Sequence, residues 1–399
     1  MFNRYAKFAK GAKCAQCVTL SVGCVARSAR ALAVCLTLAC SVPAPAGAIP
    51  LFAQRYRLEC TVCHSVLPEL NDFGNAFRNR GYRLPNFPKH GTSGVALRYQ
   101  MEYEKDPPSG QRRWTPGGVL LSNADFGAIS AFVHYNLGAG GGPSALYLGY
   151  LSTYNEHTKS LFRAGYFELP LMQSPGQRLD DLAPYGYTQT RVGLNDLVLA
   201  SPRIGVQAER TVGVATLDAT VSFGDYKGSA YGGKPVKTGE STFMSVPEVG
   251  LFARIPTLEG IELTGNAIVG QRAIGVNGQP VFQDEYQRYA IGAHAREDKF
   301  DITLQQWYGY DGDSDGVGTG LASNGGFVRL KYYPTDHAYV GVRYDTSANP
   351  YVSRDMVFYV GTQVTPHARV ILQDVHAFGG HKDALGGAFT IGFPWAFGL

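Results

Sequence analysis

From residue 95 onward, apolar and polar side chains alternate in runs of about ten residues. "VALRYQMEYE" sets Val95, Leu97, Tyr99, Met101 and Tyr103 on one face and Arg98, Gln100, Glu102 and Glu104 on the other. The same period recurs in "RIGVQAER" (203–210), "VATLDATVSF" (214–223), "EVGLFARI" (248–255), "YAIGAHAR" (289–296) and "AYVGVRYD" (338–345). A period of two is strand geometry, because successive side chains of an extended chain point to opposite faces. About sixteen such runs predict strands. The first eight lie near 95–103, 118–123, 126–135, 145–154, 160–169, 203–210, 213–223 and 247–255, with 192–199 competing for a place. The rest lie near 260–270, 286–296, 299–309, 326–333, 337–345, 355–364, 367–377 and 386–396.

The connections alternate in length. "NAD", "NEHTK", "PTLE", "ED", "PTD" and "TP" are short, whereas 104–117, 170–202, 224–246, 271–285, 310–325 and 346–354 are long. An even-stranded outer-membrane barrel has this asymmetry, and ten-residue strands suit a tilted crossing of the bilayer. A closed barrel satisfies every backbone polar group without a long apolar run. A soluble sandwich would also alternate but would show no systematic loop asymmetry, and no blade-length repeat supports a propeller. The predicted fold is therefore all-β: an antiparallel outer-membrane β-barrel of about sixteen strands over 94–399, facing membrane lipid, with an aromatic-rich closing strand "AFTIGFPWAFGL". Within it Arg98, Arg254, Arg288, Arg329 and Arg343 fall on the inward face.

The first 93 residues read differently. Arg4, Lys7, Lys10, Lys13, Arg27 and Arg30 precede or flank the apolar stretch "ALAVCLTLAC", and "AGA" (46–48) follows. This is the layout of an export signal spanning 1–48, with cleavage near Ala48. Its apolar core is too short to span a bilayer. The net charge of +4 lies largely in this leader, and no basic tract elsewhere points to nucleic acid. Five of the seven cysteines also lie in the leader, so the exported chain keeps Cys60 and Cys63 alone.

Those two belong to C-x-x-C-H, completed by His64. The spacing is that of covalent c-type haem attachment: two thiols add to the two vinyl groups and the adjacent imidazole reaches the iron from one face. A chance match or a redox disulfide is the competing reading. Residues 49–93 thus form a predicted monohaem segment with Cys60 and Cys63 as anchors and His64 as proximal iron ligand. Pro68, Asn71, Asp72 and Gly81 bracket a predicted helix whose Leu70, Phe73 and Phe77 share one face. With Phe52, Tyr56 and Leu67 these can cover a porphyrin. No methionine lies between the motif and Met101, so His90, the nearest downstream histidine, is the candidate sixth ligand, with a more distant histidine or an open position as alternatives.

"DGDSDG" (311–316) spaces Asp311, Asp313 and Asp315 like the first half of a calcium loop, but the twelfth position is Ala322 and the bidentate Glu is missing. An acidic solvent turn is the favoured reading. No nucleophile elbow, zinc-protease helix or phosphate loop is present, and no catalytic residue is assigned.

"IPLFAQRYRLECTVCHSVLPELNDFGNAFRNRGYRLP" resembles the opening of fused outer-membrane monohaem cytochrome–porins, known as iron oxidases. Phe52, Ala53, Cys60, Cys63, His64, Pro68, Leu70, Gly74, Phe77, Gly81 and Tyr82 carry the likeness, which covers about 40 residues. "FAQR" departs from the family's usual Arg-before-Gln. The resemblance implies one haem c, with its iron, passing single electrons across the outer membrane. The implied donor is extracellular, Fe(II) in the iron oxidases, and the acceptor is a periplasmic carrier. One haem cannot bridge an apolar band ~25 Å tall from outside a barrel, so the segment is expected to enter the lumen as a plug from the periplasmic side. A transport porin with a structural or sensing haem plug is the alternative, and a haem enzyme a third.

Overall fold

A computed structural model describes residues 50–59, 62–66, 69–84, 94–105, 112–139, 145–172, 182–183, 185–189, 192–193, 195, 197–225, 247–258, 260–276, 279–348, 353–365, 368–378 and 384–394. The predicted leader, Cys60 and His90 lie outside these residues.

The N-terminal segment comprises helix α1 (Pro50–Tyr56), the short strands β1 (His64–Val66) and β2 (Glu69–Leu70), and helix α2 (Asp72–Asn79). Sixteen further strands follow. The first eight are β3 (Val95–Lys105), β4 (Arg112–Phe126), β5 (Ile129–Ala139), β6 (Ala145–Asn155), β7 (Ser160–Phe167), β8 (Arg203–Val212), β9 (Ala215–Asp225) and β10 (Glu248–Leu258). The last eight are β11 (Ile261–Val276), β12 (Gln279–Glu297), β13 (Phe300–Asp311), β14 (Leu321–Thr335), β15 (Ala338–Ala348), β16 (Ser353–Thr365), β17 (Ala368–Phe378) and β18 (Ala384–Pro394). A third helix, α3 (Gly186–Gln189), sits in the long connection between β7 and β8. The sixteen strands close into a barrel in which each pairs antiparallel with its sequence neighbours, and β18 pairs with β3, from Leu385 opposite Lys105 to Pro394 opposite Ala96.

Every strand predicted from alternation is present. The wall inverts the pattern of a soluble protein. Along β13, Phe300, Ile302 and Leu304 are exposed outward, while Asp301, Thr303 and Gln305 are buried inward. Along β8, Ile204 and Val206 face out, and Arg203, Gln207 and Glu209 face in. Water would penalise so much exposed apolar surface, whereas a bilayer accepts it. Among the described residues no helix is long and apolar enough to cross a membrane; the strands supply the crossing.

Several boundaries differ from the sequence reading. "NAD" is not a turn: Asn123, Ala124 and Asp125 continue β4, and the chain reverses at Gly127 and Ala128. Gly127 has φ +62°, a left-handed conformation that a side chain would strain. The expected loop 271–285 is instead a tall hairpin in which β11 and β12 stay paired up to Val276 opposite Gln279. Beyond the bilayer both faces can be polar, as in the Gln271–Gln283 side-chain hydrogen bond of 2.7 Å, so the alternation fades while the strand persists. The expected loop 104–117 is likewise shortened, because β3 runs to Lys105 and β4 starts at Arg112. Residues 192–199 are not a strand; a single bridge joins Val192 and Asn195.

Candidate functional site

The N-terminal segment is locked to itself before it is locked to the barrel. Asn71 caps α2: its side chain accepts from the Gly74 amide at 2.9 Å and donates to the Val62 carbonyl at 3.1 Å, while its own amide donates to the Cys63 carbonyl at 3.0 Å. Helix α2 therefore starts at Asp72, later than a Pro68 start would give, because Asn71 supplies the better cap. Gly74 lies so close to the Cys63 carbonyl that any Cβ there would collide with it. The helix and residues Val62–His64 thus form one unit, with Leu70 opposite His64 across β1 and β2.

That unit docks inside the mouth of the barrel at its short-turn end. Gly81, at φ +65°, sits on the inward wall where a Cβ would strike the hydroxyls of Ser130 and Ser152. The Tyr82 ring stacks on Phe52 at 4.5 Å and lies 5.0 Å from Phe132 of β5, which in turn lies 5.4 Å from Tyr150 of β6. Phe52, Tyr56, Phe77 and Leu84 are buried together with Val119, Leu121 and Tyr147 of the wall. Arg55 donates to the Asn123 side chain and carbonyl and lies 3.5 Å from Asp125. Arg83 reaches the turn carbonyls of Gly127 and Ala128, and Arg80 lies 3.4 Å from Glu156 in the next turn.

Of the apolar side chains expected to cover a porphyrin, Phe52, Tyr56 and Phe77 are committed to this docking contact. Leu70 and Phe73 remain half-buried. The donor set fits a covalently held haem: Cys63 is a half-buried thiol directly followed by the half-buried His64, with apolar Leu70 facing that histidine. Burial pushes the Cys63 thiol pKa up, which favours the neutral sulfur over a thiolate.

A second element occupies the lumen and was not anticipated. The connection between β7 and β8 does not stay outside but folds inward across the barrel. Leu169, Leu171, Leu197 and Leu199 are buried with Phe252, Ile268 and Trp307 of the wall. The Leu182 and Ala183 amides donate to Gln373 of β17 at 2.8 and 3.0 Å. Arg343 of β15 donates to the Ala183 carbonyl at 3.1 Å, with its guanidinium 3.8 Å from the centre of the Tyr185 ring. The Asn195 amide donates to Asp284 at 2.6 Å and to Asp311 at 3.2 Å. The spacing of leucines in "LPLM" and "LVLA" was the available signal, since a water-facing loop has little use for buried leucines.

Four of the five arginines expected on the inward face are paired with carboxylates. Arg288 lies 2.9 Å from Asp311, Arg329 lies 3.2 Å from Asp301, Arg343 lies 2.8 Å from Asp345 and Arg254 lies 3.0 Å from Glu209. Arg203 and Glu248, absent from the sequence-based set, form a buried pair at 2.8 Å. Such pairs fix the lumen lining; removing one partner leaves the other charge uncompensated. In the Asp loop, Asp311 is turned to Arg288 and Asn195, and the other two carboxylates accept from the loop itself. Asp313 accepts from the Gly318 amide at 2.7 Å, and Asp315 accepts from the Val317 amide at 3.1 Å and the Thr319 hydroxyl at 2.7 Å, which lowers the Asp315 pKa. Among the described residues no three His, Cys, Asp or Glu side chains are grouped to hold a metal ion.

No protein-family model matches the chain, and no curated protein matches it in sequence. Solved structures do match in shape. An anion-selective porin from Comamonas acidovorans superposes with a TM-score of 0.53 at 10% identity, covering 75% of this chain and 99% of that one. The outer-membrane channel DcaP of Acinetobacter baumannii gives 0.52 at 11% identity, covering 75% and 96%. OmpT of Vibrio cholerae gives 0.51 at 8% identity, covering 75% and 97%. The fold is that of the porin-type outer-membrane β-barrels.

Proposed function

We propose that this chain is an outer-membrane conduit whose lumen-docked N-terminal segment carries one covalent haem c and passes electrons singly between an extracellular donor and a periplasmic carrier. The observation that carries the reading is the seating of the C-x-x-C-H unit inside the mouth of a porin-type barrel, through Arg55, Gly81 and Tyr82. A redox group held there lies within the wall that electrons must cross. A group hung outside the barrel would leave the apolar band unbridged.

Cys60 and Cys63 would anchor the group, His64 would ligate its iron, and His90 is proposed as the sixth ligand. Bound haem c supplies a reversible one-electron couple at its iron. The chain's own residues do the positioning. Asn71 and Gly74 hold α2 against the motif, Leu70 keeps water from its face, and the Phe52–Phe77–Tyr82 cluster fixes the unit to β5 and β6. With Fe(II) as donor, each turnover releases one Fe(III) and delivers one electron to the carrier. Fe(II) is the donor the resemblance suggests.

A transport porin with a structural or sensing haem plug is the second reading, favoured by the likeness of the wall to solved porins. Two measurements separate the two. Replacing Cys60 and Cys63 by Ala abolishes haem that survives acidic acetone extraction; retention of such haem defeats both haem readings. Stopped-flow mixing of the purified holoprotein with Fe(II), followed in the haem bands, reduces the haem under the first reading. No spectral change, with solute conductance intact, leaves the transport reading standing.

A further inference from the structure

The outer wall carries a depression of about 930 Å³ that spans β6 to β11 near the short-turn end. Its floor is made of small outward side chains in register: Ala208 lies opposite Ala219 on β8 and β9, and Ala253 lies opposite Gly265 on β10 and β11. Phe162 and Leu251 flank it, and both project strongly into the surroundings. The wall is thus indented by roughly a side chain's length within a belt that is otherwise bulky and apolar.

Arg210 lines the same depression at the edge nearest the short turns. Lys159 is anchored beside it, since the Thr211 amide donates to its carbonyl at 3.1 Å. Among the described residues neither cation makes an ion pair. Glu156, in the same turn as Lys159, is engaged by Arg80 at 3.4 Å. An apolar trough that opens on the bilayer core and ends at Arg210, with Lys159 in the adjoining turn, is complementary to an acyl chain bearing an anionic head.

We propose that this depression is a binding site for an anionic phospholipid of the leaflet at the short-turn end, with acyl chain on the Ala208–Ala219 floor and phosphate at Arg210 and Lys159. A bilayer presents such a molecule to this face at all times. A second copy of the chain fits less well: a two-fold contact would bring its own Arg210 and Lys159 to the same rim, like charge against like.

The test uses the full chain, stripped of lipid in mild detergent and re-exposed to equal amounts of phosphatidylglycerol and phosphatidylcholine. Retained lipid is read by native mass spectrometry. The native chain is expected to retain phosphatidylglycerol preferentially. Ala219→Trp fills the floor and is expected to lower retention of both lipids at least tenfold, with the heat-modifiable mobility of a folded barrel unchanged. Ala253→Leu, a gentler filling, is expected to do the same to a lesser extent and stands in if the tryptophan prevents folding. Arg210→Gln is expected to keep the lipid but reduce the preference about fivefold, the factor one basic residue is worth at a lipid surface. Native retention by both filled variants would overturn the proposal. So would displacement of the lipid by inorganic phosphate alone, or a change in oligomeric state on filling without a change in retained lipid, which would make the trough an interface between copies.

Discussion

Two elements enter the lumen, and they are held in opposite ways. The N-terminal segment is attached to the barrel at one end only, and it meets the wall through an aromatic cluster, with Tyr82 on Phe132, flanked by Arg55 on Asn123 and Arg83 on the turn carbonyls. The inward connection is attached at both ends, to β7 and β8, and beyond its leucines and the ring contacts of Tyr185 and Tyr187 it is held by hydrogen bonds with Gln373, Arg343, Asp284 and Asp311. A tethered loop held by buried hydrogen bonds is part of the wall's own structure. A one-ended segment seated on rings can be removed as a unit, and it is the one that carries the cysteine–histidine motif.

This contrast breaks if removal of the segment unfolds the barrel. Deletion of 49–90 is expected to leave a folded barrel, since the sixteen strands pair among themselves, and to give the largest rise in single-channel conductance in planar bilayers. Equal conductance before and after would mean that the segment does not obstruct the path. Gly81→Val is expected to come next. It forces a branched side chain into a left-handed backbone and against Ser130 and Ser152, and so should displace the segment with its chemistry intact, raising conductance while haem content stays at the native level.

On the other side of the comparison, Arg343→Met removes the partner of Asp345, the stacking on Tyr185 and the bond to Ala183. It is expected to cost about 3 kcal/mol, within the range for breaking a buried pair, visible as a lower denaturant midpoint of the heat-modifiable form. Phe77→Ala is expected to weaken docking of the segment by a similar amount, about 3 kcal/mol, but without moving that midpoint, because the wall does not depend on it. The smallest effect belongs to Arg80→Ala. Its pair with Glu156 is largely exposed, so less than about 1 kcal/mol of docking is at stake. A protease site inserted after Gly318, where the backbone has open space, sharpens the orientation: cutting in intact cells places the loop between β13 and β14 outside.

The wall was legible because a bilayer demands an apolar side chain at every second position, and that demand is written into each strand. It stops being legible where the demand stops. The hairpin above Gly270 has polar residues on both faces, so its sequence looks like a loop. The C-x-x-C-H spacing stands out for a different reason: a covalent attachment would fix residue spacing locally. Where that motif sits was not legible, because its seating depends on Gly81 meeting serines on β5 and β6 and on Arg55 meeting Asn123, contacts between parts of the chain remote in sequence. The inward connection left a trace in its alternating leucines, which mimicked a strand at 192–199.

The seam of the barrel has a consequence for the order of biogenesis. The first and last strands, β3 and β18, meet only when the whole wall has been made, and α1 packs against both of them across that seam. Leu51 of α1 and Ala96 of β3 are buried in one cluster there. The helix is synthesised before any strand and is therefore present as a clasp when the two edges find each other. Once they have paired, the segment is enclosed by a continuous ring of hydrogen bonds.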